Sequence, residues 1–324
     1  MQTTVVGNYP KIGPGARAPS LRAAIQRYQA GRISEDDLGG VAAEVTREVL
    51  ADQAKAGLDV VTDGHIRWDD PYTYFASKID GFGLNGLTRY FDSNTYFRQP
   101  VAERKLAWTG PITVSDYRFA AENSAKPVKA VVVGPYTLAR QSSRPHYDSL
   151  QEVVMDLASI LNREARALSD AGAPLVQFDE PAILGHRDDL PMFKEAMSRL
   201  VDGVSSKTAL YAYFGDISGF AKEFLSLPFD VIGLDFVMGP ANFDLLSEFP
   251  AEKELGLGIV DARNTKLETV DQIVEQIRRA SKSVGLDRID VSPSCGLEFL
   301  PRANAYGKLV RMVEGVARAE EVLS

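Results

Sequence analysis

The chain is expected to fold as an α/β protein whose parallel strands close into a (β/α)8 TIM-type barrel. Three observations carry that expectation. Short apolar runs rich in Val, Ile and aromatics recur along the chain, separated by longer amphipathic stretches. Most of these runs are apolar almost without a break, as strands buried on both faces must be. A length of 324 residues suits one such barrel. A doubly wound open sheet is the competing architecture. It usually carries a glycine-rich fingerprint at its switch point, and no GxGxxG occurs here.

Strands are expected at 3–9, 59–62, 129–133, 175–178, 209–214, 231–235, 257–261 and 289–292. Helical patterns lie between them. The stretch 34–57 starts at Ser34, an N-cap residue, and stops at Gly57. The stretches 150–172 and 269–285 likewise end in glycine just before the next strand. Residues 80–125 break the alternation, being aromatic-rich and punctuated by turn residues. They are expected to form an insertion after the second strand, either β hairpins making a lid over the barrel mouth or a structural plug.

Composition narrows the function. The net charge of −8 is dispersed, with no basic run for a nucleic acid or an anionic membrane. A single cysteine excludes an intramolecular disulfide and fits a reducing compartment. The N-terminus has no basic n-region followed by an apolar stretch, and no run reaches membrane-spanning length. The expectation is a cytoplasmic protein acting on a small molecule, with neither nucleic acid nor membrane as partner and an open oligomeric state.

In a parallel α/β protein, chemistry sits at the C-terminal ends of the strands. Polar residues cluster there: Gly7 and Asn8; Asp63 and His65; Gln177, Asp179 and Glu180; Tyr211 and Tyr213; Asp235; Asp261 and Arg263; Ser292 and Cys295. Buried carboxylates are costly unless paired or used. Asp216 and Asp261 suit helix N-caps. The adjacent acids of Asp179-Glu180-Pro181 suit ligand contact better. Arg263 suits either a pair with Asp261 or a substrate carboxylate or phosphate. Cys295 is a metal ligand, a nucleophile or a small buried thiol. His146 and His186 read as solvated loop histidines, and Trp68 and Trp108 as core or lid residues.

The ordered pieces TTVVGNYP, LDVVTDGHIRWDD, VVVGPYTLA, VQFDEPAI, DVIGLDF and DVSPSCGL resemble the C-terminal catalytic barrel of cobalamin-independent methionine synthase, in a single-domain form spanning nearly the whole chain. The resemblance implies methyl transfer to a thiol from a methyltetrahydrofolate, with zinc holding the thiol as thiolate. It implies zinc ligands in a His-x-Cys pair on the fifth strand, a Glu on the sixth and a Cys on the eighth. It also implies two acids holding a substrate amino group, one after the second strand and one the Asp of the DEP segment.

Carried onto this chain, Cys295 matches the eighth-strand ligand and Asp179 the substrate-binding Asp. Asp235 stands at the sixth-strand ligand. Tyr211 and Tyr213 stand at the His-x-Cys pair, and neutral phenols are poor zinc ligands. His65 stands where the other acid would be, and Gly7-Asn8 where the family has Gly-Ser. Three readings follow. The scaffold serves a zinc-free reaction, with Asp179, Glu180, His65, Tyr211 and Tyr213 as acid/base groups or hydrogen-bond donors and Gly7, Asn8, Asp179 and Arg263 binding substrate. Or a metal occupies a rearranged site of Cys295, Asp235 and His65, with Asp179 as a further candidate. Or the chain binds without catalysis. A flat ring such as Trp68 near the mouth would stack on a pterin.

Overall fold

The computed structural model describes residues 1–11, 18–91, 93 and 95–323. Nine strands are described: β1 (Gln2–Thr3), β2 (Asp80–Arg89), β3 (Tyr96–Ala107), β4 (Ala130–Val133), β5 (Leu175–Asp179), β6 (Lys207–Ala212), β7 (Val231–Asp235), β8 (Glu254–Val260) and β9 (Ile289–Pro293). Seven of them form one curled parallel sheet in the order β1-β9-β8-β7-β6-β5-β4. This is the architecture of a TIM-type barrel. The strands β4 and β7 are buried at every position, which is why their sequences run apolar without alternation.

The second expected strand, 59–62, is a correction. It makes an isolated parallel bridge, Val61 to Val128, rather than a ladder. It still spans the seam between β1 and β4. Asp59 N and Val60 N donate to Thr3 O, and Lys129 N donates to Val61 O. The first expected strand is also shorter than 3–9. Its ladder ends at Thr3, with Thr4 N still donating to Val291 O, and beyond it Val6 O accepts from Gln177 Nε2 and Gly7 O from the Thr62 hydroxyl.

The helices begin where their caps are. Ser34 and Asp37 form a reciprocal capping box at the start of Glu35–Lys55. Ser149 caps Leu150–Asp170, and Thr269 with Gln272 caps Val270–Ser281. Gly57 and Gly172 follow their helices with φ of +95° and +91°, conformations that suit glycine. The third helix stops at Ser281, before Gly285, whose φ is −56°. Two expected caps are also corrected. Asp216 accepts from Ser218 N at 2.9 Å and Asp261 from Arg263 N at 2.9 Å, so both close local turns and neither starts a helix.

The insertion 80–125 holds an antiparallel hairpin, β2–β3, and the helix Val114–Glu122. Positions 92 and 94 lie outside the described residues. The hairpin end carries Tyr90 and Phe91. Phe91 lies 5.6 Å from the ring of Phe214, after β6, and Tyr90 lies 6.5 Å from that of Phe299, after β9. The hairpin therefore reaches over the ends of two separate barrel strands. No helix among the described residues is long and apolar enough to cross a membrane.

Candidate active site

The strand β5 ends at the mouth with Gln177 and Asp179, two residues apart and so on one face. Gln177 Nε2 donates to Asp179 Oδ1 at 2.7 Å, and its Oε1 accepts from Lys129 Nζ at 2.6 Å. Tyr213 donates its hydroxyl to Asp179 Oδ2 at 3.2 Å. The ammonium of Lys129 is buried and lies 5.0 Å from the centre of the Tyr211 ring. Burial pushes the Asp179 carboxyl up to about 7, against Gln177, Lys129 and Tyr213, which favour its ionised form. Burial likewise lowers Lys129 to about 8.

Glu180 points elsewhere. Its carboxylate accepts from Tyr136 N at 2.9 Å, Thr137 N at 2.7 Å and the Thr137 hydroxyl at 2.6 Å. It clamps the N-terminus of the helix Pro135–Arg140, and a side chain at Gly134 would collide with it. The two adjacent acids thus have separate places, one facing the mouth and one inside the wall.

A second chain of hydrogen bonds faces the mouth from the opposite elements. His65 sits in the left-handed region at φ +53° and is stacked on Trp68 at 3.7 Å. Its Nδ1 lies 2.7 Å from Asn8 Oδ1, while Asn8 Nδ2 donates to Glu298 Oε1 at 3.1 Å. The Asn8 amide uses its N–H toward Glu298, so its oxygen accepts from His65 Nδ1–H, and this network assigns the Nδ1–H tautomer. Burial, then the nearby Lys11 and Lys129 charges, lowers the His65 pKa and keeps the ring neutral. Its Nε2 is buried without a partner. Gly7 is required because a Cβ there would lie 2.7 Å from His65 Cε1.

Under the hairpin end lies a cavity of about 310 Å³ whose lining includes Asn8, Lys11, Asp70, Tyr90, Thr95 and Glu298. Lys11, Tyr90 and Glu298, with Lys129 beneath Asp179, are the residues sequence reasoning missed, while Gln177 stands among the polar residues expected at the strand ends. Their signals were faint: a lysine opening an apolar strand run and an acid two residues past the PSCG turn.

The residues at the positions for zinc do not fit the ion. Tyr213 is committed to Asp179. Tyr211 lies across the barrel interior, where its ring occupies the space that side chains at Gly233 and Gly256 would need. Asp235 accepts from the backbone N–H groups of Phe214 at 3.0 Å, Val237 at 2.8 Å and Met238 at 2.8 Å, which ties the chain around it. Cys295 is 1% exposed and donates to Gly296 O. Burial, with the Glu298 and Asp235 charges, pushes its thiol well above the usual range, away from the thiolate a metal needs. Among the described residues no three His, Cys, Asp or Glu side chains converge as a metal set, so the expected set of Cys295, Asp235 and His65 is not assembled.

The guanidinium of Arg263 packs against aromatic rings. That group lies over the rings of Phe214 at 5.5 Å and Phe299 at 5.9 Å, at the rim of the mouth.

Residues 1–318 match the family model described as cobalamin-independent synthase, catalytic domain. The methionine synthase of Saccharolobus solfataricus is 35% identical over 327 residues, covering 100% of this chain and 96% of that protein. The methionine synthase of Sulfurisphaera tokodaii is 33% identical, covering 100% of this chain and 94% of that protein. Among solved structures, a B12-independent methionine synthase from Shewanella sp. W3-18-1 superposes with a TM-score of 0.85 at 22% identity, covering 99% of this chain and 98% of that one. A vitamin-B12-independent methionine synthase homologue from Listeria monocytogenes gives 0.78 at 18% identity, covering 97% and 96%. The chain belongs to the cobalamin-independent methionine synthase family, as a methionine-synthase-like methyltransferase built on the catalytic barrel.

Proposed function

We propose that this protein transfers a methyl group to the thiol of a small amino-acid-like acceptor, with a methyltetrahydrofolate as donor, in a cytoplasmic setting. One observation carries the reading. Asp179 ends β5 with one oxygen held by Gln177 and the other by Tyr213, and the family resemblance makes it the acid that holds a substrate amino group. A carboxylate so fixed is a preorganised partner for an ammonium group.

The reaction needs the acceptor thiol deprotonated and the leaving nitrogen protonated, as well as both partners placed in line. The acceptor sulfur attacks the methyl carbon in line. The thiol gives its proton to His65 Nε2, the carbon–nitrogen bond of the donor breaks as the sulfur–carbon bond forms, and the departing nitrogen keeps the electron pair and takes that proton from His65. Asp179 orients the acceptor. His65 Nε2, neutral and unpartnered, is the buried base within the same set of elements. The aromatic hairpin end meets Phe214 and Phe299 and covers part of the mouth, which limits the access of water there. No step is routed through zinc, because phenols stand where its histidine and cysteine ligands would be.

The test is product analysis by mass spectrometry with homocysteine and 5-methyltetrahydrofolate in mono- and polyglutamate forms. Methionine formed by the wild type and lost in Asp179→Asn is the expected result. The tyrosine pair favours a second reading, a zinc-independent lyase or transferase acting on another small anionic substrate. Turnover of a wider thiol panel with no homocysteine activity would select it.

A further inference from the structure

We infer that the cavity beneath the hairpin end is a zwitterion site, in which Glu298 binds the ammonium group of the acceptor and Lys11 its carboxylate. The inference rests on the amino-acid acceptor proposed above.

Lys11 and Glu298 line one cavity and each charge favours the other's ionised form, yet no ion pair joins them among the described residues. Glu298 Oε1 is fixed by Asn8 Nδ2 at 3.1 Å, and Oε2 is buried with no partner. Gly296 leaves that oxygen its space, since a side chain there would collide with it. Burial of this oxygen pushes the Glu298 carboxyl up to about 7, and a cation seated beside it would hold the carboxylate ionised. Lys11 Nζ donates to the carbonyl oxygens of Trp68 and Asp69, which leaves a third N–H. Of the acids near it, Asp70 is spent capping the helix Pro71–Lys78 through Thr73 N at 2.7 Å. A volume of about 310 Å³ suits a small amino acid.

The family pattern makes this a relocation. The acid expected after the second strand is His65 here. Glu298 lies at the far end of the same hydrogen-bond chain, His65–Asn8–Glu298, and brings a carboxylate from beyond β9. Its charge reaches both Asp179 and Cys295. An ammonium between Glu298 and Asp179 would relieve their mutual repulsion.

The experiment is calorimetric binding of three probes to the full chain: L-methionine, 4-(methylthio)butanoate, which lacks the amine, and 3-(methylthio)propylamine, which lacks the carboxylate. Glu298→Gln is expected to weaken L-methionine and the amine by about 30-fold and leave the butanoate unchanged, the size of a charge-assisted hydrogen bond. Lys11→Met is expected to weaken L-methionine and the butanoate similarly and leave the amine unchanged. Equal losses for all three probes, or no loss, would overturn the assignment while the wild type still binds L-methionine. A wild type that binds no L-methionine would overturn the amino-acid acceptor and the zwitterion site together.

Discussion

Tyr213 donates its hydroxyl to Oδ2 of Asp179 at 3.2 Å, so the phenol that the resemblance sets at a metal-ligand position is bonded to the carboxylate proposed here to hold the substrate. The Tyr-x-Tyr pair is not a metal site with poor ligands. One tyrosine holds an anion, and the other fills the barrel.

That bond predicts a pH effect. Asp179 is already raised to about 7 by burial, and Tyr213 lowers it by stabilising the carboxylate. Removing the donor in Tyr213→Phe therefore raises the pKa further, by about one unit. An ionised Asp179 is required to bind an ammonium, so the acid limb of kcat/KM should move to higher pH. Activity near pH 7 should fall about five-fold, while the alkaline plateau is kept. An unmoved acid limb would show that Asp179 is not the titrating group.

Lys129 supplies a stability test. Its pKa falls from the usual 10.5 to about 8 through burial. Between those values the folded chain has shed the proton while the unfolded chain keeps it. The unfolded state then binds more protons, so stability rises with pH across that window. From about pH 8 to 9.5 the wild type should gain about 1.5 kcal/mol relative to Lys129→Met. Urea unfolding of both proteins across that range measures the difference. Parallel curves would place the Lys129 ammonium in water.

The barrel was legible because its strands are buried on both faces and write long apolar runs, as at Val231–Asp235. The segment 59–62 carries a shorter apolar pair, Val60-Val61, and bridges only at Val61, since register with neighbours is a tertiary matter. Asp179 was legible from the DEP segment. Glu180, its neighbour, reads the same on paper, yet alternation along an extended chain sends the two side chains to opposite faces. Lys11 and Glu298 were illegible because a single charge beside a turn has no pattern. Their meaning comes from the cavity that the hairpin encloses.

Cys295 should behave as a core thiol. It is 1% exposed and held in its protonated form. A thiol reagent should find no fast-reacting group in the native chain and one in denaturant. Purified protein should hold far less than one zinc per chain, and Cys295→Ala should keep kcat/KM within about three-fold of the wild type, as for a small buried residue. Stoichiometric zinc that disappears in Cys295→Ser would instead reveal a thiolate site.

Tyr211 should be coupled to the glycines beside it. A Cβ at Gly256 would lie 2.7 Å from the Tyr211 hydroxyl, and one at Gly233 would enter its ring. Gly233→Ala should therefore cost about 1–3 kcal/mol by overpacking. In Tyr211→Ala the same change should cost far less, because the ring it strikes is gone. A double-mutant cycle by chemical denaturation reads the coupling. Additive effects would mean that the ring moves aside freely.

The adjacent acids Asp179 and Glu180 should separate cleanly under mutation. Glu180 accepts three hydrogen bonds at the start of Pro135–Arg140, all from groups it alone satisfies there or shares with Ala182 N, which donates to the Thr137 hydroxyl at 3.2 Å. Glu180→Ala orphans two buried backbone donors and should cost about 2–4 kcal/mol of stability. The fraction that remains folded should keep a KM near the wild-type value, since the side chain faces the wall. Asp179→Asn keeps the shape and alters a carboxylate at the mouth, so it should change stability little and raise the acceptor KM by at least about ten-fold. Measuring unfolding and kinetics on both variants checks the division of labour. A Glu180→Ala protein that is stable but fails to bind acceptor would put that acid back in the site.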